Sequence, residues 1–432
     1  MTGAVLIGLG LLTLLLAVLL ALLAMRGIFL PGRRSFALPQ RWAPPEPAAA
    51  VIDALDWDGW LAIEARIFRI SDQRLHRRTP AGQWNRSQRL LPQGRAAGAV
   101  LLLHGLTDSP RLLLHFGEAA HAAGWAVVAP RLPGHGTSPA ALLAVRPEQW
   151  RACVALALRE ARRLADGGPL VVIGYSNGAA LALLAALDGA PMDRLILLSP
   201  MVGMRGSARA AGLAALPARL PFLRKSAWLH IAAENNPYKY QSFPLKAAQL
   251  GGEVSAQLQE RLGAPGATER LPLMLIAQSV ADATVDVAAL EDHLLSRLNR
   301  GADRLLLYGT NPAAPLAAEV RPSIAGLADA MAARLPPALA VTRADAGPAA
   351  GEGWPAAVLT LSHVALPLPV DDAVYGIAAP LLARVPHGET GIFTGDRPDP
   401  VRITCNPFFP FLLQAAMTVL AEAKSAHVRG NA

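Results

Sequence analysis

Short apolar runs alternate with segments of helical spacing along most of the chain from about residue 97 onward. Runs of four to seven apolar residues bounded by Gly, His or Pro predict buried parallel strands. These runs lie at residues 99–103, 126–129, 170–173, 195–198, 271–277, 304–308 and 356–361. The segments with helical spacing lie at 112–123, 147–165 and 178–187. This alternation predicts an α/β fold with a mostly parallel sheet and helices on both faces.

The amino-terminal pattern is different, because residues 4–25 form one apolar run without a charged residue. As a helix, this run is long enough to cross a bilayer. The residues before it include no basic side chain, and no cleavage site follows, so we expect an uncleaved transmembrane anchor rather than a signal peptide. Arg26, Arg33, Arg34 and Arg41 come after the run. The positive-inside rule then favours a cytoplasmic position for the rest of the chain.

The remaining organisation follows from changes in composition. Residues 26–50 are rich in Pro and Ala and predict a stiff tether, and residues 51–432 form the main domain. Within this domain, Leu, Ala and Gly at about 201–270 predict a helical cap over the sheet. The gap of 81 residues from Asp282 to His363 is longer than one helix and one strand require, so we predict an insertion of unknown role at about 310–355.

Composition excludes several classes of protein. The chain is 53% hydrophobic and 17% charged, which excludes a disordered chain. The net charge is +8, but the basic residues are scattered, so we expect no nucleic-acid partner. Cys153 and Cys405 lie in unrelated contexts, which excludes a disulfide framework and a thiolate zinc site. We expect no metal and no organic cofactor.

The sharpest chemical motif is Gly174-Tyr175-Ser176-Asn177-Gly178. It follows a predicted strand and opens a predicted helix, which is the context of a nucleophile elbow. A serine on such a turn projects at the helix amino terminus, where backbone N–H groups favour a developing anion. We predict that Ser176 is a nucleophile.

A second motif, His104-Gly105-Leu106-Thr107-Asp108-Ser109-Pro110, follows the first predicted strand. Its glycine frees the backbone to direct an N–H at an oxyanion, and we predict that the amides of Leu106 and Asn177 form the oxyanion hole. His104 is predicted to be structural, as is His135 in the turn Pro133–Ser138.

The catalytic acid should follow a later strand. Asp282 lies just past the run at 271–277, and Asp286 precedes a helical stretch and suits an N-cap. We therefore predict that Asp282 is the acid.

The base should come last in the chain. His363 ends the run at 356–361, whereas His293 lies on a predicted helix and His387 lies in a polar loop. We predict that His363 is the base.

Together these motifs resemble the α/β-hydrolase superfamily, and within it the branch of monoacylglycerol lipases and serine-aminopeptidase-like hydrolases. HGLTDSP, RLPGHGTSP, GYSNG, the Asp282 region and His363 carry the resemblance, over roughly residues 97–380. NPYKYQSFP (236–244) and SHVALPLPVDDAVYG (362–376) look like signatures of a membrane-anchored bacterial subgroup. The resemblance implies an α/β-hydrolase fold and a location in the bacterial inner membrane.

These observations predict a serine hydrolase that cleaves carboxylic esters through an acyl-enzyme. The Leu-rich cap and the anchor favour an apolar acyl substrate such as a lysophospholipid, a monoacylglycerol or another small ester. One rival is a peptidase, which would need an acidic anchor for a free amine, with Glu234 and Glu253 as candidates. The other rival is a catalytically silent, membrane-tethered binding protein.

Overall fold

The computed structural model describes the chain in several stretches. They are residues 43–75, 84–204, 226–231, 238–240, 242–280, 284–309, 327–343 and 409–430, with the single residues 13, 16, 211, 213 and 282. Among these, no helix has the length and apolar character needed to cross a membrane. Of the predicted anchor at 4–25, only Thr13 and Leu16 are described, and both are helical.

An eight-stranded sheet forms the centre of the domain. Its strands are β1 (Gln88–Leu90), β2 (Ala99–Leu103), β3 (Ala126–Ala129), β4 (Leu170–Tyr175), β5 (Arg194–Leu198), β8 (Leu273–Ser279), β9 (Arg304–Tyr308) and β10 (Ala340–Arg343). They are ordered β1-β3-β2-β4-β5-β8-β9-β10. All neighbours pair in parallel except β1 and β3. A separate antiparallel pair, β6 (Trp228–His230) and β7 (Phe243–Pro244), lies in the predicted cap.

Nine helices of the described chain surround the sheet. They are α1 (Ala49–Asp53), α2 (Trp57–Leu75), α3 (Leu114–Ala122), α4 (Pro147–Ala165), α5 (Asn177–Leu187), α6 (Leu245–Gly263), α7 (Val287–His293), α8 (Leu327–Arg334) and α9 (Phe409–Gly430). Short 3₁₀ turns lie at Pro110–Leu113, Pro139–Leu143, Thr268–Arg270 and Leu295–Arg297.

The strand side chains alternate between two apolar layers. Leu101 and Leu103 of β2 belong to one buried cluster with α4, α5 and α6, whereas Val100 and Leu102 belong to another with α3 and α9. Alternation with period two, in strands buried on both faces, explains why these segments read as continuous apolar runs. The predicted sheet with helices on both faces is confirmed.

The structure differs from the sequence-based expectation at three places. β1 is an edge strand in a stretch with few apolar residues, and no periodic pattern marks it. The predicted insertion at about 310–355 contains α8 and β10, and β10 extends the sheet next to β9. Finally, Ala43 and Pro44 near the end of the predicted tether are buried. The predicted strand at 356–361 lies outside the described residues, so it stays a prediction.

Candidate active site

Ser176 lies at the sharp turn between β4 and α5. Its backbone has φ 51° and ψ −113°, a conformation that side-chain-bearing residues rarely adopt. The turn is fixed by its neighbours, because the Ser176 N–H donates to the Leu198 carbonyl (2.9 Å) and the Ser176 carbonyl accepts from Met201 N–H (3.2 Å). The serine is therefore held in a strained position at the carboxyl edge of the sheet, where α/β folds place their chemistry.

The two glycines of the motif are required by close backbone contacts. A Cβ on Gly174 would lie 2.6 Å from the Cα of Ala179, and one on Gly178 would lie 2.0 Å from the Leu103 carbonyl oxygen. Both contacts are far shorter than van der Waals distance, so no other residue fits without a backbone shift. Gly178 thus brings the start of α5 directly against the end of β2. This packing confirms the predicted strand–turn–helix context of Ser176.

The predicted oxyanion loop starts where β2 ends. β2 pairs with β4 up to Leu103 and Gly174, so the loop of Leu106 and the turn of Ser176 leave neighbouring strands at the same edge. Asn177 is the first residue of α5, and N–H groups of a first helical turn have no acceptor within their own helix. Leu106 and Asn177 therefore lie at the same edge of the sheet, and their role in an oxyanion hole stays a prediction.

His104 fixes the peptide group that carries the Leu106 N–H. Its Nε2 accepts a hydrogen bond from Leu132 N–H (3.1 Å), so the ring proton is on Nδ1, which donates to the Gly105 carbonyl (2.9 Å). Burial, together with the nearby His135 and Arg131, lowers the pKa of His104 well below its usual range. In a trans peptide, the N–H points opposite to the carbonyl. The neutral imidazole therefore turns the Leu106 N–H away from itself.

His135 holds the next peptide group of the same loop. Its Nε2 donates to the Leu106 carbonyl over 2.6 Å, and its ring lies edge-on to that of His104 with centroids 4.9 Å apart. Burial lowers the pKa of His135, and Arg131 adds to the effect. Both histidines are buried and bonded to backbone, so the structure places them as supports of the loop rather than as reacting groups.

Asp282 follows β8 and is 2% exposed. Its Oδ1 accepts from the N–H groups of Thr284 and Val285, both at 2.9 Å, and these bonds form the turn that carries it. Asp286 instead caps α7 by accepting from Ala288 and Ala289 N–H at 3.1 and 3.3 Å. This is the division of roles that the sequence predicts for the two aspartates, with the acid role of Asp282 still a prediction.

The loop after β5 connects the Ser176 turn to the segment that follows Asp282, and no sequence motif marks it. Met201 N–H bonds the Ser176 carbonyl, Asp286 N–H donates to the Gly203 carbonyl (3.0 Å), and Met204 forms a bridge with Val285. A buried Ser199 with φ 44° begins this loop. The long apolar run of β5 gives no sign of these backbone contacts, which depend on tertiary structure.

Two residues of the NPYKYQSFP signature fasten the cap to the loops of the site. Tyr240 N–H donates to the Thr107 carbonyl (2.8 Å), and its hydroxyl donates to the Gly134 carbonyl (3.0 Å) and accepts from Thr137 N–H (2.9 Å). Lys239 Nζ lies 3.3 Å from the buried Asp108 carboxylate. The described part of the cap is therefore attached directly to the oxyanion loop.

Only some of the other candidate residues named from the sequence belong to the described part of the chain. His363, His387 and Glu234 lie outside the described residues. His293 is the last residue of α7, as its helical spacing predicts. Among the described residues, no group of three or more His, Cys, Asp or Glu side chains is arranged to hold a metal ion.

Comparison with known proteins agrees with this geometry. Residues 94–249, from just before β2 into α6, match the model of the family described as serine aminopeptidase, S33. Together with the strand order and the elbow at Ser176, this match identifies the fold. The domain has the α/β-hydrolase fold. No curated protein matches the chain.

Several solved hydrolases are similar to about half of this chain. The metagenome-derived lipolytic enzymes LipS and LipT are represented by a structure of 24% identity that covers 52% of this chain and 86% of that one, with a TM-score of 0.42. Monoacylglycerol lipase from Paleococcus ferrophilus has 16% identity, coverage of 51% and 87%, and a TM-score of 0.39. A thermostable carboxyl esterase from Bacillus coagulans has 14% identity, coverage of 51% and 83%, and a TM-score of 0.39.

Proposed function

We propose that this chain is a serine hydrolase that cleaves carboxylic esters of apolar acyl groups through an acyl-enzyme. The observation that carries the proposal is the strained turn of Ser176 between two glycines that cannot hold a side chain. Strain of this kind persists where the surrounding structure imposes it, and it is common at catalytic groups. A plain glycine-rich turn does not require φ 51° at its serine.

The proposed reaction uses Ser176, Asp282 and two backbone amides near the carboxyl edge of the sheet, with His363 assigned from the sequence alone. Ser176 attacks the acyl carbonyl while His363 removes its proton, and the charge on the carbonyl oxygen is stabilised by the amides of Leu106 and Asn177. His363 then protonates the leaving alcohol. Water, deprotonated by the same histidine, releases the acid from the acyl-enzyme. Asp282 orients the imidazole and stabilises its positive form.

An apolar acyl group is supported by the side chains that surround the loop of Leu106. The position of a Cβ on Gly251 of α6 is 3.0 Å from Met204 Sδ, 3.2 Å from Leu106 Cδ2 and 3.4 Å from Met201 Cε. Three apolar side chains therefore converge beside the oxyanion loop and the Ser176 turn. Methionine packs well against irregular apolar groups, which suits a fatty acyl chain. The names of the similar lipases and esterases support the same substrate class.

Peptidase activity is the second candidate, and the description of the matching family favours it. It would need a carboxylate near the site to hold a free amine. Glu253 is exposed and accepts a hydrogen bond from Gln249 (2.7 Å) on its own helix, α6. Because Glu253 is two residues from Gly251, it lies on a different face of α6 from the one that meets Leu106. Glu253 is therefore not placed to hold a free amine beside Leu106, and Glu234 lies outside the described residues.

The test compares two substrate series on the same preparation. We expect hydrolysis of p-nitrophenyl esters to rise from acetate to octanoate, and hydrolysis of amino-acid p-nitroanilides to stay at background. Ser176→Ala should abolish the ester activity. Faster hydrolysis of the anilides than of the esters would favour the peptidase. Ester hydrolysis at background level in wild type as well as in Ser176→Ala would favour the binding protein.

We further propose that residues 4–25 anchor the chain in the bacterial inner membrane with the domain in the cytoplasm. The support is the apolar run and the arginines after it. Alkaline phosphatase is active only after export, so a fusion at the carboxyl terminus should be inactive. Strong phosphatase activity would place the domain on the other side.

A further inference from the structure

The predicted tether contains one carboxylate near its end, and the structure buries it. Glu46 is the only charged residue between Arg41 and Asp53. Its side chain is 2% exposed, although it lies in a Pro- and Ala-rich stretch upstream of the residues that match the hydrolase family. A carboxylate is almost never buried without a partner, because desolvation destabilises its charge. Glu46 therefore has a specific structural role.

Glu46 binds the loop that follows β3. Its Oε1 accepts from Arg131 Nη1 (2.7 Å) and from the N–H of Gly134 (2.9 Å), and its Oε2 accepts from Arg131 Nη2 (3.1 Å). Two parallel bonds to a guanidinium fix both partners in direction as well as distance. The Gly134 backbone has φ 86°, so the peptide group that Glu46 holds belongs to a turn with a defined shape.

Arg131 is fully buried between two carboxylates. Its Nε donates to Glu64 Oε1 (2.9 Å), and Glu64 also accepts from the N–H and hydroxyl of Ser87. Burial alone would lower the pKa of Arg131, but Glu46 and Glu64 raise it, so the guanidinium stays charged. Burial raises the pKa of Glu64 despite the neighbouring Arg131. Removing one carboxylate would leave the buried cation with a single partner, which is costly.

The same loop carries the groups that hold the oxyanion amide. Arg131 Nη1 donates to the His135 carbonyl (3.0 Å), and His135 Nε2 donates to the Leu106 carbonyl (2.6 Å). Leu132 N–H donates to His104 Nε2 and so fixes the tautomer that binds the Gly105 carbonyl. Both peptide groups of Leu106 are thus held by histidines whose positions depend on residues 131–135.

We propose that Glu46 is a positioning residue for the oxyanion hole. It acts through Arg131, Gly134 and His135, and it couples the segment after the tether to the amide of Leu106. The inference rests on the proposed function, since it assigns Leu106 to the oxyanion hole. It makes the stretch from Ala43 onward part of the catalytic domain rather than a spacer.

The test uses the full-length chain with Glu46→Ala and Glu46→Gln. Glu46→Ala should lower kcat by about 10- to 100-fold, because small misplacement of a catalytic group has an effect of this size. KM should stay within about twofold, since the oxyanion forms only after the ground state. Affinity for a trifluoromethyl ketone, which forms an oxyanion with the serine, should fall in parallel with kcat. Glu46→Gln keeps an oxygen for Gly134 N–H and should recover part of both losses.

Glu160→Gln is the matched control. Glu160 is also a buried carboxylate, 6% exposed, and it binds Arg163 and Arg89 on α4 and β1, but no bond connects it to residues 131–135 in the described structure. Glu160→Gln should lower the thermal midpoint, while its kcat and its affinity for the ketone stay near those of wild type. Wild-type kcat and ketone affinity in Glu46→Ala would overturn the proposal, and so would an equal loss in Glu160→Gln. If Glu46→Ala does not fold, wild-type kcat in Glu46→Gln overturns it. Full activity of Ser176→Ala would instead show that the proposed function is wrong.

Discussion

The nucleophile side and the acid side of the candidate site are built in different ways. On the nucleophile side, Ser176 is fixed by backbone contacts within the motif, and a Cβ on Gly178 would meet the Leu103 carbonyl at 2.0 Å. On the acid side, Asp282 is held by N–H groups of its own turn, and the turn is attached through Gly203 and Met204. On the nucleophile side, the two glycines leave no room for a larger residue. On the acid side, the position of Asp282 depends on contacts between loops. Rigid sites leave strict sequence motifs, and loop-built sites leave weak ones.

The largest effect should come from Ser176 and His363, the proposed nucleophile and base. We expect Ser176→Ala and His363→Ala each to lower kcat by a factor on the order of 10⁴ or more, and the double variant to fall little further. The reason is that the serine is a poor nucleophile without its base. Steady-state kinetics on a p-nitrophenyl ester measures this, with His387→Ala as a control that stays within about tenfold of wild type. If His387→Ala is inactive and His363→Ala is active, the base is His387 rather than His363.

The two aspartates of the acid side are expected to differ, with a catalytic role for Asp282 and a structural role for Asp286. Asp282→Asn should lose most of kcat, by about 10²-fold or more, because the imidazole loses its orienting partner and its counter-charge. Asp286→Asn should keep kcat, since Asn caps a helix about as well as Asp. The same kinetic assay compares them. If Asp286→Asn loses kcat and Asp282→Asn keeps it, the acid is Asp286 rather than Asp282.

Glycine substitutions test the rigidity of the nucleophile side. Gly178→Ala should destabilise the domain by about 3 kcal/mol, or prevent folding, because the new Cβ collides with backbone that cannot move without β2. Gly263→Ala, at the end of α6 with no atom within 4 Å of the new Cβ, should change stability by less than about 0.5 kcal/mol. Denaturant unfolding measures both. Equal stability of the two variants would mean that the Ser176 turn is not sterically fixed.

The smallest effect is a dependence of stability on pH through the histidines of the oxyanion loop. The pKa of His104 and of His135 is lowered in the folded chain, mainly by burial, so the unfolded chain binds more protons below about pH 6.5. Stability should therefore be complete above that pH and fall as the pH is lowered, by up to about 1.4 kcal/mol per unit for each histidine.

Unfolding in denaturant between pH 7.5 and pH 5.5 checks this prediction in wild type and His104→Asn. The variant lacks one of the two groups, so its free energy of unfolding should depend less steeply on pH. An identical slope in both proteins would show that His104 takes up no proton on unfolding.

What could be predicted from sequence follows the same division. Buried strands such as β2 and β4, and the elbow at Ser176, come from local apolar pattern and glycine spacing, which physical chemistry ties directly to structure. The partners of Arg131 could not be predicted, because Glu46 is 85 residues away in the chain and only the folded loop after β3 brings them together. A lone carboxylate in a Pro- and Ala-rich stretch was the available signal.

The cap and the sheet edges show the same limit. Tyr240 belongs to a motif that sequence analysis singled out without a role, and only the structure connects its hydroxyl to Gly134 and Thr137. β10 lies in the stretch predicted to be an insertion, and its four residues, which the structure leaves exposed or half-buried, form no apolar run that marks a strand. Edge strands and loop contacts depend on neighbours far along the chain, so local pattern predicts them poorly.

The most direct test of the central claim is to find which serine reacts. Wild-type protein treated with a fluorophosphonate should carry one adduct, and peptide mass spectrometry should locate it on Ser176, because only a serine activated by a base and an oxyanion hole reacts quickly. Ser176→Ala should carry none. Labelling of Ser109 or Ser199, the buried serines that follow β2 and β5, or an absence of labelling in the folded wild type, would contradict the account.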